Sequence, residues 1–216
     1  MKAVLLTRAA AGVDADQFRA WHEADAVPAL RRAVPELERC VRNYVRPGPG
    51  GAGASWAAFT ELWLDADHGW PNVASGLLDC DPAFVDNAAS QLAVVEEVRS
   101  PDARPGTAKT MILIGRRSDF SRADFRARYE SGHVPLALRS LALMSAYTRN
   151  YVIGADGPAE PDFDVVTECW FPDRAAMKQT ARRLAEPAVR AAIDRDQDDF
   201  MDSPGIRHFA VDEVSD

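Results

Sequence analysis

Cysteine is scarce in this sequence. Cys40, Cys80 and Cys169 are an odd number that cannot all pair, and their spacing matches no zinc-ligand pattern. They read as reduced thiols, which points to a cytoplasmic protein. Runs of Lys or Arg are absent too, and the net charge is −8. Such a chain is a poor polyanion binder, so nucleic acid and anionic membrane surfaces are not expected partners. No stretch approaches the ~18 apolar residues of a membrane span, and the apolar start Met1–Leu6 gives way to Arg8, so no signal peptide is expected. Neither a Gly-rich phosphate loop nor a dinucleotide fingerprint occurs. His22-Glu23 opens like a zinc-protease helix, but the residue four further on is Ala26 rather than His. The run Asp194–Asp199 lacks the Gly and the closing Glu of a calcium loop and reads as a solvated acidic helix end. No metal site is expected.

The dominant positive feature is an internal repeat at an offset of 107. Phe18-Arg19-Ala20 returns as Phe125-Arg126-Ala127, and Val27-Pro28 as Val134-Pro135. Arg42-Asn43-Tyr44-Val45 returns as Arg149-Asn150-Tyr151-Val152, and Thr60-Glu61-x-Trp63 as Thr167-Glu168-x-Trp170. Toward the ends the offset becomes 116, which sets Phe84 against Phe200. The Pro/Gly content of 100–108 marks a linker between repeats at 1–99 and 109–216.

Each repeat reads β-α-β-β-α-β. Asp14 with Gln17, and Ser121 with Asp124, sit as capping boxes at the first helix. That helix is predicted to end near Val27 and Val134, because a following proline disfavours helix before it. The second helix is predicted over about 175–192 in the second repeat and poorly formed in the first. The fold class is therefore α+β, two fused ferredoxin-like units. A sheet with helices on one face must bury the other, so the two sheets are expected to pack into one intramolecular α/β-barrel. This makes the chain a monomer containing a pseudo-dimer, or a weak homodimer.

The residues Phe125-x-x-x-Tyr129-x-x-x-His133-Val134-Pro135, Tyr147-x-x-Asn150-Tyr151 and Glu168-Cys169-Trp170-Phe171 resemble the EthD family of dimeric α/β-barrels, twice over. Its relatives include polyketide cyclases, anthrone-type monooxygenases, decarboxylases and methylmuconolactone isomerases. The resemblance implies a catalytic set of His133, Tyr147 and Cys169. The matching positions in the first repeat are Ala26, Cys40 and Leu62, so its site is expected to be degenerate.

His133 lies on a stripe with Phe125 and Tyr129, which should face the sheet. Its ordinary pKa suits proton transfer at neutral pH. Tyr147 and Tyr151 share a strand face with Arg149 between them, a wall for an enolate or carboxylate. Tyr129, Arg149, Tyr151, Trp170 and His208 are the candidate substrate contacts. Glu168 and Trp170 recur as Glu61 and Trp63, which suggests service to the shared fold. The expected function is cofactor-independent cyclisation, isomerisation or dehydration of a lipophilic polyketide, aromatic or lactone. The alternatives are a cofactor-free anthrone-type monooxygenase and a non-catalytic small-molecule-binding protein. Related barrels also bind haem, which a Soret band would reveal.

Overall fold

The computed structural model describes residues 1–47, 56–65, 80–100, 104–155 and 159–216. The first repeat's second helix, expected to be poorly formed, lies outside the described residues.

Eight strands form a closed barrel: β1 (Lys2–Thr7), β2 (Leu37–Val45), β3 (Ala58–Leu64), β4 (Gln91–Arg99), β5 (Ala108–Ile114), β6 (Ala146–Ala155), β7 (Val165–Phe171) and β8 (Arg207–Ser215). Their hydrogen-bonded order is β1-β3-β2-β8-β5-β7-β6-β4. This is the doubled ferredoxin-like βαββαβ pattern that the repeat predicts. By contact the chain divides into two compact units. The first is Met1–Glu96 with Val152–Pro161 and Val211–Asp216; the second is Glu97–Tyr151 with Asp162–Ala210.

The first unit begins with β1, which pairs antiparallel with β3 and β4. Asp14 then caps α1 (Ala15–Trp21) in a reciprocal box with Gln17, at 2.8 and 3.1 Å. In the second unit Ser121 caps α3 (Arg122–Arg128) and also donates to the Asp124 carboxylate at 2.7 Å.

Neither helix stops at the proline, which corrects the predicted boundary. A five-residue π turn, His22–Ala26, joins α1 to α2 (Val27–Ala33). Its twin Tyr129–His133 joins α3 to α4 (Val134–Ser140). Val27 N–H bonds back to His22 O and Val134 N–H to Tyr129 O, a five-residue reach. The prolines at 28 and 135 then start a new α segment, where a missing N–H is tolerated.

In the second unit the predicted second helix is two helices, α5 (Arg174–Leu184) and α6 (Pro187–Phe200). Pro187 at the start of α6 makes the break. The linker residues Ser100, Arg104 and Thr107 hydrogen-bond to the backbone of Tyr147, Ser145 and Pro172.

Each unit carries its own copy of one buried network. Glu61 binds Lys2 at 2.6 Å and accepts from Asn43 at 2.8 Å. Glu168 binds Lys109 at 2.6 Å and accepts from Asn150 at 2.7 Å. Burial of carboxylate and ammonium is tolerated here because each carries a close counter-charge.

Candidate functional site

The second unit gathers most of the residues singled out in the sequence. Tyr129 and Tyr147 are buried with their hydroxyls 2.9 Å apart. Cys169 sits opposite Tyr147 across the β6–β7 ladder. His133 stacks near Tyr129, with ring centroids 4.7 Å apart, and its Nδ1 lies 2.6 Å from Asp196 Oδ2. Tyr151 donates to Glu130 Oε1 at 2.7 Å, and Arg149 grips the same carboxylate with two bonds at 3.1 and 2.9 Å. Trp170 lies elsewhere, with the Lys109 ammonium 4.3 Å from its ring centroid. His208 is exposed on β8.

Electrostatics in this cluster favour protonated side chains. Burial pushes the Cys169 thiol up to about 12 and raises both Tyr129 and Tyr147 above the usual phenol range. Burial alone would raise Glu130, but the hydrogen bonds from Arg149 and Tyr151 outweigh it and hold the carboxylate below its ordinary value.

Two side chains of α6 enter the space between helix and sheet in this unit. Asp196 and Phe200, one turn apart on α6, both reach the first helix. Asp196 binds His133 and also Arg128, at 2.8 Å. Phe200 is fully buried against the rings of Phe125, Tyr129 and His133.

The first unit instead keeps an open cavity of about 820 Å³. Leu5, Trp21, Val27, Leu30 and Phe84 supply apolar wall, and His22 and Thr60 supply polar atoms. Trp21 and Phe84 stack face to face, 5.0 Å apart and 1° from parallel.

His22 has a fixed orientation and a fixed tautomer. Tyr44 donates its proton to Glu23 Oε1 at 2.5 Å, so its oxygen can only accept from His22 Nδ1, 2.8 Å away. Nδ1 therefore carries the ring proton, and Nε2 is left as a bare acceptor. Arg42 holds Glu23 from the other side with bonds of 3.2 and 3.1 Å. Burial lowers the His22 pKa to about 4, against the opposing pull of Glu23, so the imidazole is neutral at pH 7.

In the sequence His22 is a failed zinc motif, and with Trp21 it stands one turn before Ala26, so any site there is expected to be differently built. The signal was present in two substitutions. His22 stands where the other repeat has Tyr129, and Cys40 stands where it has Tyr147. The loss of one phenol leaves the helix side chain to pair with Tyr44 instead.

A neutral imidazole with one nitrogen already bonded is also a metal-ligand form.

Comparison with known proteins bears on the fold. The EthD domain profile matches residues 117–204, less than half of the chain. No curated protein matches. An anthrone oxidase-like protein superposes with a TM-score of 0.56 at 11% identity, over 99% of this chain and 92% of its own. A mutant chlorite dismutase from Candidatus Nitrospira defluvii gives 0.54 at 10% identity, over 97% and 90%. A haem-binding protein from Thermus thermophilus gives 0.51 at 13% identity, over 99% and 91%. The chain thus has the EthD-related, ferredoxin-like barrel fold.

These findings correct the expectation of a cofactor-independent cyclase, isomerase or dehydratase. Proteins named as a dismutase and a haem binder share the fold, so the barrel does not imply cofactor independence. No helix among the described residues is long and apolar enough to cross a membrane.

Proposed function

We propose that this chain is a redox enzyme for a lipophilic aromatic small molecule, and that the substrate sits in the His22 cavity of the first unit. The observation that carries the reading is the cavity itself: apolar walls, a stacked Trp21–Phe84 pair, and one imidazole whose tautomer is fixed. A pocket of this size with few, well-placed polar groups is the usual form of a small-molecule site. The redox assignment draws on the fold shared with an anthrone oxidase-like protein and a chlorite dismutase.

His22 would orient the substrate rather than deprotonate it. With a pKa of about 4 the imidazole is a weak base, but its bare Nε2 accepts a hydrogen bond from a hydroxyl. Haem fits the cavity poorly. Nε2 could ligate its iron, but Asp25 and Asp81 line the cavity and no Lys or Arg does among the described residues, so its propionates would meet like charge. The weak basicity of His22 also favours a second reading, binding without turnover.

Oxygen uptake and quinone formation from a hydroxylated anthrone test the reading. The purified protein would be assayed alone, with Fe(II) or Mn(II), and with haem. Turnover in any arm that falls in a His22→Phe variant supports it. Saturable binding without turnover in every arm moves the assignment to the second reading, and absence of binding overturns both.

A further inference from the structure

The charged groups among the described lining residues of the first-unit cavity are of one sign. His22 presents Nε2, which accepts and cannot donate while Nδ1 holds the proton. Asp25 and Asp81 are carboxylates, and Gln17 is neutral. No Lys or Arg is among the described lining residues. Arg42 lies behind His22 but is engaged by Glu23 and Asp216, the latter at 2.5 Å.

Thr60 also lines the cavity, but it is fully buried and its unpaired Oγ1 recurs at the matching Thr167 of the second unit, so it belongs to the shared frame.

From these observations we infer that the cavity selects by charge and proton: it takes a neutral or cationic aromatic bearing a hydroxyl or amine, and rejects the same ring bearing a carboxylate. The inference rests on the cavity being the ligand site. A hydroxyl or ammonium supplies the proton that Nε2 lacks. A carboxylate offers another acceptor to an acceptor and adds negative charge to a site that already holds two carboxylates. The ring would lie against the apolar wall beside Trp21 and Phe84, where an aromatic face stacks well.

The test is titration calorimetry at pH 7 with three probes on one ring: 2-naphthol, 2-naphthylmethylamine and 2-naphthoate. The expected result is that naphthol and the amine bind, and naphthoate binds at least about tenfold more weakly. In an Asp25→Asn/Asp81→Asn double variant, whose changes are at exposed positions, the deficit of naphthoate against naphthol should shrink several-fold. The amine should lose affinity in the same variant. Added salt should also narrow the gap in the wild type. Equal or tighter binding of naphthoate, or a gap untouched by the double variant, overturns the charge selection while leaving the cavity as a ligand site. If no probe binds, the cavity reading falls with it.

Discussion

The two units carry the same frame and treat the same space differently. Glu23, Arg42 and Tyr44 form a hydrogen-bonded triad in the first, and Glu130, Arg149 and Tyr151 repeat it in the second. In the second unit α6 sends Phe200 and Asp196 into the space over the triad. In the first, Phe84 stacks aside on Trp21, and a cavity of about 820 Å³ remains. A repeated triad can therefore be scaffold in both units, while chemistry depends on what occupies the space beside it. The residues that look most reactive are the more tightly enclosed set.

The strongest way to break this contrast is to unplug the second unit. Phe200→Ala removes a fully buried ring packed on four others, and should cost about 3–5 kcal/mol in urea unfolding. A loss below about 1 kcal/mol would show that the ring does not fill that space. Next in size is Asp196→Ala, which leaves His133 and Arg128 without their shared partner. The expected cost is about 2–3 kcal/mol. Asp196 itself is held below the ordinary carboxylate range, because His133 and Arg128 outweigh the effect of its burial. Its contribution should persist above that range and fade as pH falls through the lowered value.

The first unit should show its own pH signature. Folded His22 stays neutral down to about pH 4, whereas the unfolded chain takes up a proton near its ordinary value. Stability should then fall as pH drops, by about 2 kcal/mol between pH 7 and pH 5. A His22→Phe variant should lose that slope, and a variant with an unchanged slope would assign it to other groups. The smallest effect sharpens the comparison from the opposite side. Asp14→Ala and Ser121→Ala remove matching helix caps, and each should cost about 1 kcal/mol. Thermal melts that differ widely between the two would show that the units do not share local stability.

Much of the frame was legible in the sequence. The 107-residue offset, the capping residues and the strand faces of Tyr147 and Tyr151 all follow from local pattern and period. Two features were not, for physical reasons. Asp196 lies 63 residues from His133 and sits in a run of acids that reads as solvated, so its pairing depends on how α6 docks. His22 gave no signal by residue type alone, because its role comes from a tautomer set by Tyr44 and Glu23. The prolines misled for a third reason: the π turn before each one changes the hydrogen-bond register that the helix rule assumes.

That turn sets which faces the following helix buries. A π turn amounts to one extra residue wound into an α-helix, and deleting it would rotate everything downstream by about 100°. Val27 and Leu30, or Val134 and Ala137, would then swing off their buried faces. Such an insertion is hard to acquire and hard to lose. Both repeats keep it at the same register and start it with a different ring, an imidazole in one and a phenol in the other.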